Sequence, residues 1–476
     1  MDRRRIALAM SAKRVDLGSP NTFKNVLRLM IPAMLSQFIA VLYNIVDRIY
    51  IGNLPENGEI SLIGVGVCAP ITNLITSFAF WVVLGACPLF SMSLGQENEK
   101  DAKKIFTNAL WMLGAFSLIL LAVCYGALKP MLYAFGASGE SFAYAFDYML
   151  FFLIGVPFAM FATGLNQFLI AQGKSYHAMT GNLVSAVLNI VLDPLFMYTF
   201  RLGIKGAAIA TTIAWAANFV IALFFSIFAE PVKPIKSAPS PLIVGKILKL
   251  GLAPFIILST DSVIVIGLNI ALEHSGANGD FLIECSTIVQ AFFSLVTGPL
   301  LGISTGTQAV LAYLYGARKV DLVKKAELQI TICGLIFTTI CFVSSFFTAE
   351  PFARLFLLFA NEGNSSGNVV SSSAKFIHWY MIPTIILTFQ YTCLDGLTGM
   401  GQAKYSIWLS VNRKIVMLLP LTFLLPLLSG NGEMAFLAEP IADGVASIVS
   451  ITVFLIIFPK ILKKQKDSTG SALELS

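Results

Sequence analysis

The chain has 476 residues, of which 57% are hydrophobic and only 12% charged, with a net charge of +6 and a mean hydropathy of +0.80. Soluble domains carry about 25% charged residues, so this composition excludes a soluble globular protein and makes hydrocarbon the solvent. The surplus of cations sorts by loop along the chain and is therefore no signal of nucleic-acid binding.

Taken from its start, the segment Met1 to Pro20 carries Arg3, Arg4 and Arg5 but no apolar core closed by a cleavage site, so it does not read as a removable signal peptide. Apolar stretches then recur to the end of the chain, each long enough to cross about 30 Å of hydrocarbon as a helix of roughly 20 residues. About twelve spans are predicted, at 26–50, 62–92, 106–127, 142–170, 178–200, 206–229, 246–272, 282–314, 326–348, 370–399, 405–428 and 436–459. Barrel strands would be about half as long and alternating, so the fold class is all-α integral membrane. The Pro-, Ser- and Lys-rich stretch 229–245 reads as the one linker near the middle. It divides an N-terminal six-helix lobe (1–228) from a C-terminal one (246–462), followed by a basic tail (463–476).

Charge orients the spans. With the N-terminus in the cytoplasm, only Arg48, Lys129, Arg201, Lys205, Arg354 and Lys375 fall outside, and the other 26 of 32 basic residues lie inside or near it. An even span count returns the C-terminus to the cytoplasm. A multi-pass protein of the cell (inner) membrane is expected, with both termini cytoplasmic.

The halves repeat each other. Pro32 matches Pro254 and Asp47 falls opposite Asn269, each 222 residues apart. Gly85, Gly95, Lys103 and Lys104 match Gly306, Gly316, Lys324 and Lys325, each 221 apart. Both halves start on the same side, so the repeats are parallel, related by an axis along the membrane normal. Two such bundles suit a binding site that rocks open to one side and then the other, which points to a secondary transporter rather than a channel.

Ionisable residues inside spans are functional candidates by default, because an acid at the bilayer centre costs about 3 kcal/mol. The candidates are Asp47, Asp193, Asp261 and Asp395, with Asp443 weaker. Asn189 and Asp193 are four apart and share one helix face, where amide and carboxylate can bond and together hold a proton or offer oxygens to a small cation. Other readings stay open at each position. Asp47 could pair with its neighbour Arg48 at the outer interface. Asp193, before Pro194, could cap a broken helix. Asp395 lies in a Gly-rich span end, and Asp261 could merely face a water-filled cavity. Arg413 and Lys414 read either as snorkelling to the cytoplasmic interface or as a contact to an anionic substrate or a lipid head group. Seven cysteines without paired spacing and three histidines without ligand spacing give no disulfide, metal or haem site. No GxxxxGK[ST] motif supports ATP use, and nothing suggests an enzyme.

The run LYNIVDRIYIG (Leu42 to Gly52) resembles the first-span signature of multidrug and toxic compound extrusion (MATE) transporters, and LNIVLDPLF (Leu188 to Phe196) resembles their fifth-span signature. GLNQFLIAQGKSYHAM, its second-half counterpart GLTGMGQAKYS, and GVGVCAPI at Gly64 to Ile71 fit as well. The pattern is most similar to the prokaryotic MepA-like and DinF-like branch. The resemblance implies two six-helix lobes around a central cavity and antiport, with a proton or sodium ion entering as a drug or toxin leaves. It implies that Asp47, Asn189 and Asp193 form the coupling site, that Pro32 is the hinge of span one, and that Asp261 and Asp395 are candidates in the second lobe. Arg48 departs from the pattern and leaves the coupling ion, H+ or Na+, open. Expected partners are an amphipathic, often cationic organic substrate, the coupling ion and membrane lipid. Nucleic acid is not expected, nor a cofactor, and the chain is expected to act as a monomer. A lipid-linked saccharide flippase is the alternative, with thin support from Arg413 and Lys414. A membrane scaffold or receptor that moves nothing is a further one.

Overall fold

A computed structural model describes residues 15–55, 58–137, 139–228, 232–273, 279–359 and 366–467. The arginines at 3–5, His274, positions 229–231 of the linker and the end of the tail from 468 lie outside these residues.

The described chain is helical, without a strand. The helices are α1 (Thr22–Gly52), α2 (Gly58–Gly95), α3 (Glu99–Gly126), the short α4 (Leu128–Ala134), α5 (Ser141–Ala171), α6 (Ser175–Pro194), α7 (Ile204–Phe228), α8 (Pro241–Glu273), α9 (Gly279–Gly316), α10 (Val320–Phe359), α11 (Ser366–Met381), α12 (Thr384–Gly399), α13 (Ala403–Val411), α14 (Leu419–Ser429) and α15 (Ala438–Asp467). α6 runs on through a π-helical segment, Leu195–Thr199, and a second π-helical segment, Asn412–Leu418, joins α13 to α14. Among the described residues, eleven continuous helical stretches are long and apolar enough to cross a membrane. The tenth predicted span differs. It is two 16-residue helices, α11 and α12, broken at Ile382–Pro383. Each half is about 24 Å long at 1.5 Å per residue, too short to cross alone. Proline causes the break, since it lacks an N–H and its ring crowds the carbonyl one turn back.

Each half has its own apolar core. In the first, Phe106 stacks on Phe168 with centroids 4.2 Å apart, and Phe90 meets Phe168 edge-on at 5.2 Å. In the second, Phe376 stacks on Phe436 at 4.0 Å. A further cluster joins the halves, with Val26 and Leu29 of α1 packed among Ile303, Val310 and Leu314 of α9.

Glycine sets how closely the halves meet. A Cβ at Gly95 of α2 would overlap the carbonyl oxygen of Tyr313 in α9, and a Cβ at Gly316 would overlap that of Met92. Both the glycines and the carbonyls they touch are 221 residues apart, so the contact is reciprocal about a pseudo-two-fold axis. Gly85 approaches the Ile247 carbonyl of α8 in the same way, while its repeat partner Gly306 approaches Ala33 of α1. The glycines that reveal the duplication are those at which the duplicated halves touch. Without a Cβ the backbones come into direct contact, the device that lipid-embedded helices use in place of hydrophobic association.

The linker is not a free tether. The Ile235 amide donates to Thr107 Oγ1 at 2.9 Å and the Ser240 amide to Asn108 Oδ1 at 2.7 Å, both on α3. Gln172, itself fully buried, accepts from the Val232 amide at 3.2 Å. α8 begins at Pro241, so the connection ends about a turn before the predicted limit at 245.

Candidate cation-coupling site and buried charge clusters

In α6 the predicted i,i+4 pair meets. Asn189 Nδ2 donates to Asp193 Oδ1 at 3.1 Å and to Thr211 Oγ1 of α7 at 3.2 Å. Asn189 is 2% exposed and Asp193 is fully buried. The helix does not end at Pro194. The missing N–H is absorbed by the π-helical segment Leu195–Thr199, which argues against Asp193 as a mere cap. That segment also ties α6 to α1, since Tyr198 donates its hydroxyl to the Tyr50 carbonyl at 2.7 Å.

Asp47 lies on α1 near this tie, also buried, and within electrostatic reach of Asp193 and of the Tyr43 and Tyr148 hydroxyls. Among the described residues it forms no ion pair with Arg48, whose side chain is exposed. Asp47 Oδ1, Asp193 Oδ2 and Asn189 Oδ1 are buried without a hydrogen-bond partner among the described residues. Two carboxylates, an amide oxygen and a hydroxyl form an all-oxygen set, the donor chemistry that suits a proton or a small hard cation. Pro32 sits fifteen residues back along α1, buried beside Ala33, where Gly302 and Gly306 of α9 make their closest approach.

The second-half candidates do not come together. Asp395 of α12 accepts from Ser304 of α9 in a very short hydrogen bond, and its neighbour is Glu327 of α10. Glu327 is 5% exposed and neither of its carboxylate oxygens has a partner among the described residues. Asp261 of α8 instead accepts from Lys414 Nζ at 2.6 Å, with Glu439 3.9 Å from the same nitrogen. Next to it Arg413 Nε donates to Asp443 Oδ1 at 2.7 Å and lies over the Tyr391 ring.

This corrects the snorkelling reading of Arg413 and Lys414. Arg413 stands ten residues beyond Ala403, or about 15 Å along a helix, and both side chains are buried in protein. Such burial demands counter-charges, and α8 and α15 supply them.

Sequence reasoning missed Thr211, Glu327 and Glu439, and also the amide triad in which Asn166 and Asn218 each bond Asn182, at 3.1 and 3.0 Å. Glu327 follows Lys324 and Lys325 at the predicted start of a span and so reads as interfacial. α10 in fact begins at Val320, so Glu327 lies about 10 Å along it, with its side chain buried in protein. A lone threonine in an apolar span carries no signal at all.

Duplicated helical halves, glycine-lined contacts between them and carboxylates sequestered within each half define a multi-pass membrane protein. The chain belongs to the MatE family, whose model matches residues 32–195 and 285–424, one block in each half. It is 26% identical over 392 residues to the multidrug export protein MepA of Staphylococcus aureus strain N315, covering 80% of this chain and 82% of that protein. The MepA of Staphylococcus haemolyticus is 24% identical over 417 residues, covering 86% and 88%. In fold the chain resembles an outward-facing multidrug resistance MATE transporter of the MOP superfamily, with a TM-score of 0.86 at 22% identity over 95% of this chain and 99% of that one. It also resembles a MOP superfamily transporter from Pyrococcus furiosus described as having a binding pocket of reverse polarity, with a TM-score of 0.86 at 23% identity over 96% and 99%.

Proposed function

We propose that this protein is a secondary multidrug exporter that expels amphipathic, often cationic molecules as a proton or sodium ion moves inward. The observation that carries the reading is the α1–α6–α7 oxygen cluster. Asn189 bridges Asp193 and Thr211, while oxygens of Asp47, Asp193 and Asn189 lack partners among the described residues. A buried acceptor without a partner costs about 1–3 kcal/mol, so three of them in one cluster favour a proton, ion or water that meets them.

A cation or proton entering this cluster changes its net charge where the dielectric is low. It draws Asp47 of α1 toward Asp193 of α6, and α1 bends at Pro32, where the i−4 carbonyl already lacks its helical donor. α1 packs on α9 of the second half through Ala33, so bending is felt across the contact between the halves. In this reading 1–228 and 246–462 are the two moving lobes of a monomer in the cell membrane, with both termini cytoplasmic. The driving force is about 2.3 kcal/mol per charge per 100 mV.

The test uses liposomes loaded with a fluorescent organic cation, with a pH gradient and a sodium gradient imposed separately. One gradient should drive wild-type transport. Asp193→Asn and Asp47→Asn should abolish it while the protein still inserts and stays monodisperse. Equal transport by wild type and both variants would sink the coupling assignment.

The paired Arg413 and Lys414 favour one second reading, recognition of an anionic amphiphile in the second lobe. Both cations already hold carboxylates within that lobe, which leaves little free positive charge for a substrate.

A further inference from the structure

At the ends of α2, α8 and α9 nearest the linker, and beside the α12–α13 turn, a cavity of about 440 Å³ opens between the two halves. Lys246, Lys249, Arg318 and Lys404 converge on it, joined by Gln96 and Gln402, and no Asp or Glu is part of its wall. None of the four cations is paired with a carboxylate among the described residues. Four cations around one cavity without a compensating acid repel one another and create a strongly positive local field.

The duplication gives a reason why this cavity is accessible. Gly401 in its wall has φ +75°, and its repeat counterpart Gly173 has φ +81°. At Gly173 the chain covers its own turn. The Val15 amide donates to the Gly173 carbonyl at 3.0 Å, Val15 and Leu17 are buried, and Lys319 Nζ donates to the Gly18 carbonyl at 2.8 Å. The segment in the same place before α8, Val232 to Ser240, turns away from Gly401 instead and bonds Gln172 and α3 of the first half. One of two related positions is thus closed by peptide, and the other is ringed by cations.

The wall also carries Leu89, Met92 and Leu250, so apolar side chains and cations line the same cavity. That combination matches an amphiphile better than a free anion. Basic pockets between transmembrane helices on the cytoplasmic side suit anionic head groups.

We propose that this cavity binds the head group of an anionic phospholipid from the cytoplasmic leaflet. The phosphate sits among Lys246, Lys249, Arg318 and Lys404, and the glycerol and first acyl carbons lie on the apolar wall. A bound lipid touches α2 from the first half and α8, α9 and the α12–α13 turn from the second, close to the Gly95–Gly316 crossing. It thereby braces the halves together on that face. The leaflet rests on the cytoplasmic placement of the termini proposed above. Binding to purified protein does not require transport, so the two readings fail separately.

The experiment is calorimetric titration of the full-length protein in neutral detergent with short-chain phosphatidylglycerol, short-chain phosphatidylcholine or inorganic phosphate. Wild type should bind the glycerol lipid and neither of the others comparably. Arg318→Gln/Lys404→Gln removes two exposed cations, and Lys246→Gln/Lys249→Gln serves as the independent second pair. Each pair should weaken binding about 25-fold, at about fivefold per cation. Lys324→Gln/Lys325→Gln, which removes the same charge away from the cavity, should leave it unchanged. Unaltered binding by both cavity pairs, each with an unliganded melting temperature like wild type, would overturn the site. Phosphate binding as tightly as the anionic lipid would overturn the lipid as its ligand, and so would equal binding of the choline lipid.

Discussion

The Arg413–Asp443 pair offers the sharpest energetic test. Arg413 Nε and Asp443 Oδ1 are 2.7 Å apart, with the two side chains 4% and 0% exposed. Arg413→Met keeps much of the apolar volume and the contact with Tyr391, but strands the Asp443 carboxylate. Removing one partner of a buried pair costs about 3–5 kcal/mol, because the remaining charge has neither water nor counter-ion. Lys414 does not take over, since it already holds Asp261 at 2.6 Å. The double variant Arg413→Met/Asp443→Leu removes both charges and both desolvation penalties, so it should recover most of the loss. The assay is denaturant or thermal unfolding of the four proteins of the cycle in detergent. Because each single variant strands a charge while the double strands none, the coupling energy should exceed about 3 kcal/mol. A single-variant loss below about 1 kcal/mol, the range of exposed pairs, would refute the claim that this pair is sealed from water. A double variant as unstable as the sum of the singles would refute the claim that the two charges depend on each other.

Three further outcomes follow from the packing and hydrogen bonds. Gly95→Ala and Gly316→Ala each push a methyl into a backbone carbonyl of the opposite half and should destabilise by about 1–3 kcal/mol in thermal unfolding. Gly66→Ala, where nothing lies within 4 Å of the added carbon, should be neutral or slightly stabilising in the same assay. Thr211→Val removes one acceptor of the Asn189 amide, so it should lose about 1 kcal/mol of stability and slow liposome transport without abolishing it, since both carboxylates stay. Gln172→Ala breaks its bonds to Val232 at 3.2 and 3.4 Å, which should cost about 1–3 kcal/mol and raise protease nicking of the linker.

Much of this molecule is legible in one dimension. The spans follow from apolar length, because hydrocarbon forces each backbone to satisfy itself within a helix of about 20 residues. The duplication follows from glycines and prolines at a nearly constant offset of 221 or 222 residues. The Asn189–Asp193 bond follows from their spacing of four, a local fact of helix geometry. The partners that cross between helices were not legible, since no periodicity says which face of α7 brings Thr211 to Asn189, or that α12 and α10 bring Asp395 beside Glu327. Arg413 and Lys414 make the limit plain. Sequence places them in a span, but only the packing of α8 and α15 decides that Asp261, Asp443 and Glu439 surround them. Segment length and local spacing set the helices and their repeat, whereas charge pairing in a low-dielectric interior depends on contacts between residues 30 to 153 positions apart, which only the tertiary structure brings together.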